Sequence, residues 1–306
     1  YGTVTAVDHV SFTVAPGETL ALDGPSGCGK SSTAHAVLQL RRPSGGEVLF
    51  EGRELTTLPE RDLRPLRHRM QPVFQDPYGS LSPRHRIRDA VAEPLRIRGR
   101  RPTPARIAEL LDRVGLDPSY GDRRPHELSG GQCQRVAIAR AIALRPALVI
   151  CDEAVSSLDV LIQSQVLNLF ERLRRELGLS YLFISHDLAL VKQVSDRVAV
   201  MHLGQLAEVA PADALYRAPR HPYTAALLAS IPGLDPVTGA AKRPAALPGE
   251  PPSPLDPPSG CRFRTRCPRA QDRCALEEPA LVERAPGHRV ACHFPLEPVT
   301  AERSTP

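Results

Sequence analysis

Tryptophan is absent from the 306 residues, methionine occurs twice, and lysine only three times, at 30, 192 and 242. Aromatic residues are 4% of the chain. No apolar run approaches the ~18 residues that a membrane span needs. A self-sufficient channel or permease is therefore excluded. No charged segment followed by an apolar stretch opens the chain, so no secretory signal is expected in these residues. The first residue is Tyr1, not Met, so a leader or first strand upstream is left open. Seven cysteines are an odd number. Without a secretory signal, an odd count argues against a disulfide framework and for a reducing compartment. No long internal repeat is present.

What is abundant is proline, 32 residues, unevenly spread. Hydrophobic residues make 42% and charged residues 24%, the composition of a globular chain. The length is a prior for about two domains. The net charge of +5 decides little, but its placement says more. Between Arg84 and Arg106 eight Arg face two acids, Asp89 and Glu93. Such a patch suits nucleic acid, anionic lipid or an acidic partner, or is simply a solvated helical face.

Val10–Val14 alternates and reads as a strand, and Thr19–Leu22 as a more buried one. A Gly-rich loop leads into a helix over Ser31–Leu40, and Glu47–Phe50 reads as a short strand. Arg-rich helical segments follow from about Arg61 to Leu116. A strong helix spans Gln132–Leu144, with Ser129 near its start. Buried strand runs at Ala147–Cys151, Tyr181–Ile184 and Arg197–Met201 enclose an amphipathic helix at Val160–Leu177. Strands alternating with helices imply a largely parallel α/β sheet. From Pro244 to Pro258 seven of fifteen residues are proline, an extended linker.

Gly24-Pro-Ser-Gly-Cys-Gly29-Lys30-Ser31 fits G-x-x-x-x-G-K-[ST] between a buried strand and a helix. Glycines let backbone N–H groups converge on phosphate oxygens, and the helix terminus adds its dipole. Lys30 supplies a charge at the β/γ-phosphates, and Ser31 a hydroxyl for Mg²⁺. Asp152 and Glu153 end a buried strand, where parallel sheets gather ligands. Asp152 suits Mg²⁺ through water, and Glu153 suits activation of an attacking water. Leu128-Ser129-Gly130-Gly131-Gln132 opens a helix and offers a second anion site, or an ordinary Ser-capped helix. One nucleotide does not need two such sites from one chain, but a dimer sandwiching ATP does.

With these motifs the chain resembles the ATP-binding cassette (ABC) ATPases over about residues 1–210. The resemblance implies a P-loop NTPase of α/β fold: an ABC nucleotide-binding domain over 1–215, with a RecA-like core at 1–84 and 146–215 and a helical subdomain at 85–145. It implies that Gly24, Ser26, Gly27, Gly29, Lys30, Ser31 and Ser32 cradle ATP. Ser31, Gln75 and Asp152 hold Mg²⁺ in this reading, Glu153 is the catalytic base, and His186 in Phe-Ile-Ser-His-Asp touches the γ-phosphate. Ser129, Gly130, Gly131 and Gln132 complete the partner's site, Asp159 in Ser-Leu-Asp lies on the loop that communicates across the dimer, and Tyr1 stacks on adenine. Two departures stand out: Asp23 where an apolar residue is usual, and Ala154 where proline is common.

His221-Pro-Tyr-Thr224 and Ser230-Ile-Pro232 are similar to the C-terminal signature of oligopeptide and dipeptide importer ATPases. Val73–Tyr78 and Asp152–Gln163 resemble the F member of that family's D/F pair. The resemblance implies two transmembrane permease subunits, a D-type ATPase partner forming a heterodimer, and an extracytoplasmic substrate-binding protein, with no nucleic acid. It places the chain peripherally on the cytoplasmic face of the cell membrane. Nickel and oligosaccharide importers share this pattern, and a soluble ABC ATPase of DNA repair or translation is the rival. The extension 216–306 carries Cys261, Cys267, Cys274 and Cys292 in spacings that match no short zinc ribbon. They resemble the family's tail, in which four cysteines hold a 4Fe–4S cluster. Zinc, and free thiols or a disulfide, are the alternatives. Arginines interleaved with these cysteines are expected to lower the thiol pKa values.

Overall fold

The computed structural model describes residues 4–231, 233–234, 241–242, 249–250 and 252–297. They divide into two compact units: Tyr1–Phe12, Leu20–Ser32 and Ser185–Pro306 form unit one, and Thr13–Thr19 with Thr33–Ile184 form unit two.

Unit two is built on parallel strands. Met70–Val73 pairs with Leu148–Asp152, which pairs with Ser180–Ser185; Asp152 lies opposite Ile184. Ser180–Ser185 is buried at every position, and Leu148–Asp152 at all but its last. Short apolar runs suit strands covered on both faces. The helix Val160–Leu177 covers one face through Phe170, whose ring meets Tyr181 and Phe183 edge-on at 5.5 and 5.9 Å. Asp159 caps this helix, its Oδ1 accepting from Ile162 N at 3.0 Å, and Gly178 ends it at φ +65°.

Three helices, Ile87–Ile97, Pro104–Arg113 and Gly130–Ile142, pack together through buried Val91, Leu95, Leu110, Leu111 and Val136. Thr103 caps the second, its Oγ1 accepting from Arg106 N at 3.2 Å, and Pro104 sits where a missing N–H costs nothing. The expected helical stretch 61–116 thus contains separate helices, with Glu60–Arg67 the first and the strand Met70–Val73 after it.

Unit one has an antiparallel edge. Thr19–Asp23 pairs in parallel with Arg197–His202, which pairs antiparallel with Gln205–Pro211. His288–Val290 adds to Gln205–Pro211, and Val282–Ala285 closes the edge as a hairpin. The cysteine-bearing extension is therefore no loose tail: its hairpin continues the sheet. Val10–Val14 does not form the expected strand. Its side chains alternate between exposed and half-buried, but alternation alone makes no strand.

Candidate nucleotide site

In unit one the strand Thr19–Asp23 is buried throughout and delivers the chain into the phosphate loop. Gly24, Gly27 and Gly29 have φ of +156°, +80° and +110°. A Cβ on Gly24 would lie 2.3 Å from the Met201 carbonyl oxygen, and one on Gly29 2.1 Å from that of Ala6. Backbone walls both positions, so only glycine fits. Gly29→Ala is expected to abolish nucleotide binding, measured by titration with a fluorescent ADP analogue; undiminished affinity would contradict this reading of the loop. Ser26 and Ser31 are exposed, Ser32 is half-buried, and Lys30 begins the helix Lys30–Val37. Lys30 is buried, and its Nζ donates to the Gly24 and Pro25 carbonyls at 2.6 and 2.9 Å. The ammonium thus folds back over its own loop.

His186 is exposed just after the buried strand Ser180–Ser185. Asp187 beside it caps the helix Leu188–Val194, its Oδ1 accepting from Ala189 N at 2.8 Å. Asp23 is buried, and its carboxyl rises to about 7, chiefly through burial; Lys30 opposes the rise and Asp187 adds to it. Tyr1 lies outside the described residues.

In unit two Gln75 meets Glu153. Gln75 Nε2 donates to Glu153 Oε2 at 3.1 Å and to Ser156 Oγ at 3.3 Å, and Ser157 Oγ donates to the Gln75 carbonyl at 3.3 Å. Glu153 has φ +50°. A non-glycine residue there costs on the order of 1–3 kcal/mol and is held by its surroundings. Its N–H donates to Ile184 O at 3.0 Å, and its own carbonyl accepts from Ser156 N at 3.1 Å and Ser156 Oγ at 2.9 Å. The strain aims the carboxylate, half-buried, out of the strand end. Asp152 is the half-buried last residue of that strand.

The segment 128–132 is also prearranged. Ser129 N donates to Gln132 Oε1 at 2.9 Å, and Gln132 N to Ser129 Oγ at 3.4 Å, a reciprocal capping box. Tyr78 OH, donating to Leu128 O at 2.8 Å, fixes the preceding residue. A Cβ on Gly131 would lie 2.5 Å from Ile162 Cγ2, so glycine lets this helix approach the next. Gly130 has open contact, 3.7 Å at the nearest. The geometry of this segment is that of a capped helix.

The 4Fe–4S expectation is overturned, and zinc with it. Among the described residues no three or more His, Cys, Asp or Glu are grouped to hold a metal ion. Cys261, Cys267, Cys274 and Cys292 line one pocket, but lining is not ligation. Cys261 and Cys274 are buried in an apolar cluster with Phe263, Tyr223, Val198 and Leu215. All four are free thiols. Burial pushes the Cys261, Cys267 and Cys292 thiols up, the last to about 11. Arg269 lowers the Cys267 thiol, but burial outweighs it, and three other interleaved arginines are committed elsewhere. Arg262 holds Asp8 and the Leu203 carbonyl, Arg264 Nε donates to Ser259 O at 2.9 Å, and Arg273 pairs with Glu277 at 2.9 Å.

The basic stretch is also partly committed. Arg86 and Arg88 pair with Asp122, Arg96 with Asp89 at 3.0 Å and Arg106 with Glu109 at 2.7 Å.

What sequence reading missed is a buried network behind the His-Pro-Tyr-Thr segment. Glu208 is fully buried. It accepts from Arg220 N at 2.7 Å and His221 N at 3.0 Å, and its Oε1 lies 2.6 Å from His288 Nε2. Burial would raise its pKa, but these hydrogen bonds outweigh burial and hold it below the usual carboxylate value. His221 Nδ1 accepts from Tyr223 N at 3.0 Å and caps the helix Pro222–Ser230. Tyr223 packs against His202 at 4.4 Å, tilted by 45°, and meets Phe263 at 5.1 Å. Four stretches distant in sequence meet here, which no local pattern signals.

A family profile described as ABC transporter matches residues 7–156, and one described as Oligopeptide/dipeptide transporter, C-terminal region, matches 207–274. The chain is 50% identical over 298 residues to the oligopeptide transport ATP-binding protein AppF of Bacillus subtilis, covering 96% of this chain and 90% of that protein. It is 48% identical to OppF of Escherichia coli, covering 95% and 88%. Among solved structures, an ATP-binding cassette dimer bound to ADP and Pi in a post-hydrolysis state aligns with a TM-score of 0.62 at 28% identity, over 68% of this chain and 90% of that one. The cbiO1 protein of Clostridium perfringens, part of an ABC transporter complex, gives 0.62 at 26%, over 69% and 84%. Sequence, fold and phosphate loop agree: the chain belongs to the ABC transporter family of ATPases, with the oligopeptide/dipeptide transporter C-terminal region.

Proposed function

We propose that this chain is the ATP-hydrolysing subunit of a membrane importer for oligopeptides or dipeptides. One observation carries the reading: a glycine-walled phosphate loop with a buried lysine occurs in one chain with the importer's C-terminal region. The near-full-length similarity to AppF and OppF, both named oligopeptide transport ATP-binding proteins, supports the peptide cargo over nickel or oligosaccharide.

The loop N–H groups of residues 24–31 and the helix terminus hold the phosphates, and Lys30 leaves the Gly24 and Pro25 carbonyls for the β/γ-phosphates. His186 holds the γ-phosphate through its exposed ring. Glu153, its carboxylate held by the Gln75 amide at 3.1 Å, takes a proton from the attacking water. The donors proposed for Mg²⁺ are Ser31, Gln75 and Asp152, an all-oxygen set of the kind this hard cation takes. When bound, Mg²⁺ neutralises phosphate charge. Ser129, Gly130, Gly131 and Gln132 complete the site of a second ATPase, and Asp159 joins the two across the dimer. The domain plan we propose is the nucleotide-binding domain 1–215 with helical subdomain 85–145, and the extension 216–306.

Among the described residues no helix is long and apolar enough to cross a membrane. Transport then needs membrane-spanning partners. We take these to be two permease subunits, with a D-type ATPase as second cassette, a substrate-binding protein outside, and this chain peripheral on the cytoplasmic face.

A Glu153→Gln form captured from native membranes with ATP should bring down two permeases, a second ATPase and a peptide-binding protein, identified by mass spectrometry. Capture of ribosomal or DNA-repair proteins without a permease would refute the transport reading.

A further inference from the structure

The buried strand Thr19–Asp23 ends in an acid one residue before the phosphate loop. Asp23 is 2% exposed, and among the described residues its Oδ2 has no hydrogen-bond partner. Burial of a carboxylate without full hydrogen bonding is costly, and the proton is the cheapest remedy.

The charged groups whose fields reach it come from two directions. Lys30 attracts its ionised form, and Asp187, at the head of the helix Leu188–Val194, repels it. The other ionisable neighbours are Cys28 in the loop, Tyr216 on the helix Ala212–Arg217 and Tyr223 on the helix Pro222–Ser230. Burial raises the pKa of all three, so they stay neutral and contribute no countercharge. Among the described residues the one cation whose field reaches Asp23 is Lys30, the same ammonium that the phosphates require. An ionised Asp23 and a bound polyphosphate compete for it, and they also repel each other through a poorly screening interior.

We propose that Asp23 is a proton site coupled to the phosphate loop: a nucleotide polyphosphate binds together with one proton, taken from solvent and held on the Asp23 carboxyl. This rests on the reading of residues 24–31 as a nucleotide site. The carboxyl's position near 7 places the coupling in the physiological range. If only the protonated form binds, apparent affinity follows the protonated fraction and falls about tenfold between pH 6 and pH 8. The direction is fixed by the charge: raising pH ionises the acid and weakens the anion's binding.

The test is isothermal titration calorimetry of the full chain with ADP, at pH 6, 7 and 8. At each pH it is run in two buffers of different ionisation enthalpy. The expected wild-type result is uptake of nearly one proton per ADP at pH 8, where the free nucleotide is itself fully ionised, and about half a proton from Asp23 at pH 7. Asp23→Asn, which keeps the shape and removes the ionisation, should take up none at pH 8. It should also lose the tenfold decline that wild type shows beyond the nucleotide's own titration. ADP binding by wild type without uptake at pH 8 overturns the proposal, and this result stands even if the variant misfolds. Uptake that persists in Asp23→Asn places the proton elsewhere and also overturns it. Failure of wild type to bind ADP at any pH overturns the nucleotide reading itself, which distinguishes the two failures.

Discussion

Glu153→Gln is expected to keep nucleotide affinity within a few-fold and to slow hydrolysis by about 10²–10⁴-fold, the range general-base catalysis contributes. The side chain lies at the end of the buried strand Leu148–Asp152, its backbone in the left-handed region and pinned by Ile184 and Ser156. Glutamine preserves volume and can still meet the Gln75 amide, but it cannot take a proton from water. The loss should therefore fall on kcat and not on binding. Single-turnover hydrolysis beside equilibrium binding of ATP separates the two. Brisk turnover in the variant would remove Glu153 from the role of base.

Glu208→Ala is expected to cost roughly 3–5 kcal/mol of stability, because it strands the buried His288 ring and leaves the Arg220 and His221 N–H groups without their acceptor. Thermal or urea unfolding would show it, and limited proteolysis should cut the extension first, since His288 ties the tail hairpin to the sheet. The acid limit of the folded state follows from the same region. Burial lowers His202 and His221 to about 4, below their ordinary 6.5. A base depressed in the folded state is fully stabilising above its unfolded pKa. Stability is then lost as pH falls from 6.5 towards 4, because the unfolded chain binds more protons. Glu208, held below 4.5, extends the loss further into acid. A stability that rose on acidification from pH 6.5 to 4.5 would contradict this account.

The parts of the site that local chemistry specifies were legible in the residues. A phosphate loop needs glycines where a Cβ would strike Met201 and Ala6, and those glycines stand at fixed spacing before Lys30. The strands Leu148–Asp152 and Ser180–Ser185 announce themselves because burial on both faces demands continuous apolar runs. The tail was misread for the opposite reason. Cysteine spacing states nothing about whether thiols meet a metal or an apolar cluster; Phe263, Tyr223 and Leu215 decide that, from three separate stretches of chain. Interleaved arginines suggested stabilised thiolates, yet Arg262 is committed to Asp8, more than half the chain away. Val10–Val14 failed as a strand because period-two alternation specifies a face and not a partner. Glu208 was invisible because a buried acid is recognised by what surrounds it, here Arg220, His221 and His288.

The most direct test of the central claim is uptake of a labelled oligopeptide by the native host, comparing a strain lacking this chain with strains restored by wild type or Glu153→Gln at equal expression. The account predicts uptake lost in the first, recovered with wild type and not recovered with Glu153→Gln. Uptake that is undiminished without the chain, or that Glu153→Gln restores fully, would contradict it.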